Sequence, residues 1–366
     1  MIDVHFEDSS TKKFVISDET TVGELVQKIA QKMQITVDVE SFALYESTII
    51  DGNQVDKYLK PDELCPRLIT PSRFLFKKRF FFEENVDPTV VHMEYIQIRE
   101  DVLRGRYPIT ERQFLELAAI DLRVTFGNPD PSKHKAGFLT SSNLLNKFIP
   151  APLLKYRKPA VWEKALLDEY QRVAFDPIAT ELEGKLRYLA RLREWQGEIF
   201  GSTFYDALEL VVIDKIVREQ IPVLLGVNKV GIHTLRKDKG PEKNGIIPLT
   251  LTRTNSFQQI LGWAMHQPTH TFLYTIPSDS EEGVRFTFDT SLAAEIPEVC
   301  QSYVQMIIRS GGADAGGSPG SEGEGEGDQR AGEEQASSSA ERADGSGSSM
   351  EKTDDVEGSA DLKKDA

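Results

Sequence analysis

Ile2, Val4 and Phe6 alternate with Asp3, His5 and Glu7, the two-residue period of a strand with one buried face. Ser9-Ser10-Thr11 reads as a turn, and Phe14 and Ile16 mark the returning strand. Thr21-Val22-Gly23-Glu24 has the spacing of a capping box. The helix it opens gathers Val22, Leu25, Val26, Ile29, Ala30 and Met33 on one face. Phe42 and Leu44 then signal another strand. Residues 1–70 therefore predict a small unit of hairpin, helix and further strands.

From Pro71 to about residue 195 the period lengthens to that of helices. Pro88 suits a first helical position, and Val91, Tyr95, Ile98 and Val102 follow at steps of four, three and four. Gly105 and Pro108 end that helix. Thr110-Glu111-Arg112-Gln113 is a second capping box, ahead of a stripe of Phe114, Leu117, Ala118 and Leu122. Asn128-Pro129-Asp130-Pro131 opens a loop. Trp162, Ala165, Leu166, Tyr170 and Val173 make a further stripe, and Asp176-Pro177 is read as the start of a last helix with Ile178, Leu182, Leu186 and Leu189 inward.

Residues 196–309 return to a period of two, in Val223, Leu225 and Val227, in Phe272, Tyr274 and Ile276, and in Val284, Phe286 and Phe288. These predict short antiparallel strands. One closing helix carries Ile296, Val299, Cys300, Tyr303, Val304 and Ile307 on one face. Pro297 fits only in its first turn, so that helix starts no earlier than Ala294.

Composition changes the picture chiefly after Arg309. The 366-residue chain carries 43 Lys plus Arg against 58 Asp plus Glu, a formal charge of -15. Residues 310–366 hold 15 acidic and 5 basic residues, with almost no aliphatic or aromatic side chains to offset the entropy of ordering. They predict a disordered acidic Gly/Ser-rich tail. The rest is close to balanced, which argues against nucleic-acid binding. Cys65 and Cys300 alone make neither a disulfide framework nor a zinc cluster, and a reducing compartment is expected. No apolar leader or spanning run of about 20 residues is present.

The order of units resembles the FERM domain: a ubiquitin-like lobe (1–70), an acyl-CoA-binding-protein-like helical lobe (71–195) and a PH- or PTB-like lobe (196–309), an α+β cloverleaf. The local wording agrees. Phe74-Leu75-Phe76-Lys77-Lys78-Arg79-Phe80-Phe81-Phe82 resembles the strand that enters the FERM helical lobe, and Tyr95 to Leu103 and Leu117-Ala118-Ala119 resemble its first two helices. Phe200-Gly201-Ser202-Thr203-Phe204-Tyr205 and Leu225 to Ile232 resemble the opening of the third lobe. Within the family the likeness is to class VII myosin tails and then to talin, with Ile149-Pro150-Ala151-Pro152-Leu153-Leu154 and Trp162-Glu163 pointing the same way. The resemblance implies a non-enzymatic cytoplasmic or cortical adaptor without cofactor or metal. Its expected partners are anionic lipid, met peripherally, and peptide tails of receptors, adhesion proteins or motor cargo. A GTPase-responsive signalling scaffold is the alternative. Nothing resembling an ezrin–moesin actin-binding tail follows Arg309, so a direct actin link within this chain is not expected.

Catalytic patterns are weak beside this. Gly316-Gly317-Ser318-Pro319-Gly320 matches a nucleophile elbow but falls in the tail. Gly226 to Gly231 has P-loop-like glycines, but Ile232 stands where a Lys is needed, so a hairpin turn is read instead. His266 and His270 lack the further ligands of a zinc site. Two basic runs are candidates for lipid headgroups: Lys77, Lys78 and Arg79, and, by the resemblance, the loop carrying Arg236, Lys237, Lys239 and Lys243. Lys155-Tyr156-Arg157-Lys158 is a third, weaker basic stretch. The PTB likeness also implies a peptide groove between an edge strand bearing Ile260, Leu261, Trp263 and Met265 and a helix wall of Val299, Tyr303 and Ile307.

Overall fold

The computed structural model describes residues 1–50, 53–82, 84–154, 156–173, 178–213, 216–237, 249–279 and 283–313. The described residues fall within one compact unit. The tail from Asp314 onward, with its glycine-serine match, lies outside the described residues.

Five strands, β1 (Ile2–Phe6), β2 (Thr11–Phe14), β3 (Phe42–Ile50), β4 (Asn53–Tyr58) and β5 (Arg73–Lys78), form the first sheet in the order β2-β1-β5-β3-β4. One helix, α1 (Val22–Met33), packs across it. Its capping box is formed: the Glu24 N–H donates to Thr21 Oγ1, and the Thr21 N–H donates to Glu24 Oε2, both at 3.2 Å. Leu25, Ile29 and Ala30 meet Val4, Phe42, Leu44 and Phe76 in the first core. A buried side chain of this size contributes about 1.5–3 kcal/mol. The boundary read at Pro71 needs correcting. Strand β5 is the middle of the first sheet, parallel to β1 (Val4 opposite Phe74) and antiparallel to β3 (Leu44 opposite Phe76).

Helices α2 (Pro88–Leu103), α3 (Glu111–Phe126), α4 (Phe138–Ser141), α5 (Ala151–Leu154), α6 (Pro159–Val173) and α7 (Glu181–Gln196) follow. Val91, Tyr95, Ile98 and Val102 of α2 are all buried, as are Phe114, Leu117, Ala118 and Leu122 of α3. The second capping box holds, with the Gln113 N–H 3.3 Å from Thr110 Oγ1. The last helix begins later than read. Thr180 is its cap and accepts the Glu183 N–H at 3.1 Å; Asp176 and Pro177 lie outside the described residues.

The second sheet contains β6 (Thr203–Ile213), β7 (Ile216–Val227), β8 (Gly231–Lys237), β9 (Leu249–Ser256), β10 (Gly262–His266), β11 (Thr271–Ile276) and β12 (Val284–Asp289), in the order β10-β11-β12-β6-β7-β8-β9. It folds back on itself. Tyr274 of β11 donates its hydroxyl to Asn255 Oδ1 of β9 at 2.9 Å, although the two strands stand far apart in the sheet order. The final helix, α8 (Glu295–Ala313), closes the sandwich with Ile296, Val299, Cys300 and Tyr303 inside the core.

Candidate functional site

Strand β10 is terminal in the second sheet. It pairs with β11 from Gly262 opposite Thr275 to His266 opposite Thr271, and among the described residues no strand covers its other edge. Burial alternates along it: Trp263 and Met265 are half-buried, while Gly262, Ala264 and His266 are exposed. Trp263 meets Phe257 edge-on at 6.1 Å, and Phe257 stacks on Tyr303 at 6.5 Å. An aromatic column thus ties β10 to α8. Leu261, just before the strand, is 67% exposed, while its N–H still donates to the Thr275 carbonyl at 2.9 Å. An open strand edge of this kind can accept another extended chain through main-chain hydrogen bonds.

The residues expected to form one groove do not all reach the surface. Ile260, Leu261, Trp263, Met265 and Ile307 retain some exposure. Val299 and Tyr303 are buried in the core, at 4% and 0% exposure, and cannot line a groove. The apolar stripe of α8 faces the sheet it closes, so a peptide would meet the border of that stripe.

The basic run of β5 is not a surface patch. Lys77 Nζ lies 2.6 Å from Asp56 Oδ2 and 3.9 Å from Glu7, over the ring of Tyr45. Burial alone would lower its pKa, but the two carboxylates outweigh that and hold it above the ordinary lysine range. Lys78 is fully buried, with Nζ 2.7 Å from Asp38 Oδ2 and bonded also to Glu94. Burial pushes the Glu94 carboxyl up against the pull of Lys78. Arg79 is 4% exposed, its guanidinium 3.3 Å from the ring centre of Tyr58. As the continuation of a central strand, the run has neighbours on both sides, and its charges are used internally. Lys78 and Arg79 are out of a bilayer's reach in this arrangement, and the half-buried Lys77 is already paired with carboxylates.

Arg236 shares Glu209 with Arg253, at 3.1 and 2.8 Å, and keeps part of its side chain in solvent. Burial would raise Glu209, but hydrogen bonds from the two arginines bring it below the usual carboxylate range. The side chain of Lys237, and Lys239 and Lys243 entirely, lie outside the described residues. Arg157 grips Glu111 with both nitrogens, at 2.6 and 2.8 Å, and rests over Trp162; Lys155 is outside the described residues. His266 Nδ1 pairs with Thr269 Oγ1 at 2.7 Å.

Sequence reasoning placed Asn228 and Gly231 in a hairpin turn, which joins β7 to β8 as expected, but missed the role of Asn228. Its amide nitrogen donates to the carbonyls of Glu198 and Phe200, at 2.9 and 3.1 Å, and its oxygen accepts the Val230 N–H and pairs with His233 Nε2. It fastens the second sheet to the chain leaving α7. Gly231 has φ +155, and a Cβ there would sit 2.1 Å from the Asn255 carbonyl. The only sequence hint was an Asn between glycines.

A sheet with one helix across it, a helical bundle and a sandwich closed by its last helix, in that order in one compact unit, define the FERM class of fold. The comparisons agree. The FERM central domain model matches residues 83–205, and the RA like domain model matches residues 1–65. FERM domain-containing protein C of Dictyostelium discoideum is 29% identical over 243 residues, covering 65% of this chain and 16% of that protein. Talin-A of the same organism is 25% identical over 312 residues, covering 83% of this chain and 11% of that protein. The human Myosin 7b C-terminal MyTH4-FERM domain, solved in complex with the harmonin-a PDZ3 domain, superposes with a TM-score of 0.59 at 18% identity, covering 84% of this chain and 60% of that one. The chain has the fold of FERM domains, carries a match to the FERM central domain, and is similar to FERM domain-containing proteins, talins and class VII myosin tails. It spans about a sixth or less of the length of these curated relatives.

Proposed function

We propose that the chain is a non-enzymatic adaptor of the cytoplasm and cell cortex that captures extended peptide tails of receptors or motor cargo along β10, coupling membrane to cytoskeleton. The observation that carries this reading is the open outer edge of β10 beside α8. Backbone pairing supplies affinity there, and the half-buried Trp263 and Met265 beside exposed Leu261 supply selectivity. The talin relatives and the Myosin 7b complex with a PDZ domain support an adaptor role. The anionic-lipid part of the reading rests on Arg236, Lys237, Lys239 and Lys243, since Lys78 and Arg79 are buried and Lys77, half-buried, is paired with Asp56 and Glu7. The test is to titrate fluorescent receptor-tail peptides into the isotope-labelled chain and map the amides that shift. Shifts at residues 261–266 support the reading; binding peptides that leave those residues unmoved defeat it.

A second reading, a GTPase-responsive scaffold, is favoured by the match of residues 1–65 to the RA like domain. Strand β2 is the outer strand of that sheet and carries Lys12 and Lys13, which suit an acidic strand edge on a GTPase. GTP-dependent shifts confined to β1 and β2 on adding a small GTPase support this reading; identical spectra with the GTP- and GDP-loaded forms defeat it.

A further inference from the structure

Phe81, Phe82 and Phe200 wall a cleft of about 140 Å³ where the chain after β5, the end of α7 and the β7–β8 turn come together. Arg193 lies along this aromatic wall, with its guanidinium carbon 4.4 Å from the Phe200 ring centre. Its guanidinium pairs with the Glu84 carboxylate at 2.8 Å, and Glu84 itself is 76% exposed on a stretch that is neither helix nor strand. Across the cleft, exposed Lys229 donates to the Phe82 carbonyl at 2.5 Å. The floor is rigid. Asn228 is fixed by its hydrogen bonds, and Phe81 packs on Gly201, where a Cβ would fall 2.4 Å from the Phe81 Cβ.

The cleft therefore already displays what its cation accepts: a carboxylate carried by extended chain, beside aromatic rings. An exposed ion pair adds little stability, so a carboxylate from another chain exchanges for Glu84 with little loss. The apolar side chain next to that carboxylate gains the phenylalanine wall. Charge count sets the ligand class. The Arg193 guanidinium is one fork, and the Lys229 ammonium is engaged on a backbone carbonyl, which matches a monoanion rather than a phosphate dianion. We propose that this cleft is a recognition site, separate from the β10 edge, for an acidic residue flanked by an aromatic or aliphatic one in a partner peptide, with Glu84 as the built-in competitor. The site does not depend on the reading of β10.

The test uses the full chain, isotope-labelled, and N-acetyl-Phe-Glu-amide as probe, followed by amide shifts. Shifts are expected at residues 196–200 and 228–230. Affinity should tighten about threefold in Glu84→Gln, the size of one exposed ion pair, and weaken at least about fivefold in Arg193→Gln. N-acetyl-Phe-Gln-amide should leave the spectrum unchanged. The proposal is overturned if Glu84→Gln binds no more tightly than the parent chain or if the neutral probe binds equally. It is also overturned if inorganic phosphate gives the same shifts at lower concentration. Glu84 is exposed, so its variant keeps the test valid even if Arg193→Gln fails to fold.

Discussion

The backbone N–H of Tyr58 donates to the carboxylate of Glu295 at 3.3 Å, across 237 residues of sequence. The contact joins the last residue of β4 to the first residue of α8, and Lys60 reinforces it by bonding Glu298 at 2.6 Å. Burial pushes the Glu295 carboxyl up to about 7, against the opposing pull of the Tyr58 hydrogen bond, Arg79 and Lys77. Its proton is thus held more tightly in the folded state than in the unfolded chain. The stability it contributes is complete below the ordinary glutamate range and is lost as pH rises through about 7. Glu295→Gln should therefore match the parent protein near pH 5 and exceed its stability at pH 8 by about 1–2 kcal/mol. Urea unfolding at both pH values measures this; parallel losses in the two proteins would refute it.

His233 has the opposite dependence. It is fully buried between Asn228 and Thr254, and burial lowers it to about 4. The unfolded chain takes up this proton first, so the contribution of His233 is present above the ordinary histidine value and is lost as pH falls toward about 4. In the intervening range the slopes of His233 and Glu295 oppose each other. His233→Gln should expose a fall in stability with rising pH that the parent masks, and Glu295→Gln should expose a rise. Identical pH slopes in the two variants would contradict both assignments.

Most of the fold was legible because its signals are local. The capping boxes at Thr21 and Thr110, the four-three-four spacing in α2 and the position of Pro297 each lie within a few residues. What escaped was set by distance along the chain. Strand β5 is central only because β1 pairs with it in parallel, some seventy residues apart. Lys78 reads as a surface charge until Asp38 and Glu94, 40 and 16 residues away, are brought to it. The groove was half legible. The PTB likeness put an edge strand at Trp263 and Met265, where β10 lies, but the stripe that identifies a helix is the face it buries, so Val299 and Tyr303 were assigned to a surface they do not reach.

Lys78 yields the sharpest test of the basic run. Lys78→Met leaves Glu94 buried without its cation and should cost about 3–5 kcal/mol. Pairing it with Glu94→Leu should recover most of that loss. Lys77→Gln should likewise destabilise the chain while leaving binding to phosphoinositide vesicles unchanged in the fraction that remains folded. A folded Lys77→Gln protein with reduced vesicle binding would restore the run as a membrane contact.

Leu261 carries the last prediction. Its side chain is 67% exposed, so Leu261→Asp removes little burial and should shift the thermal midpoint by no more than a degree or two. A peptide added to β10 would cover that side chain and desolvate the new carboxylate against Trp263 and Met265, so affinity for tail peptides should fall about tenfold. Trp263→Ala distinguishes surface recognition from core packing. It breaks the column through Phe257 to Tyr303, and should lower stability by about 2–4 kcal/mol as well as affinity. Anisotropy titrations alongside thermal melts separate the two effects. If Leu261→Asp binds as tightly as the parent chain, peptide capture does not take place on this edge.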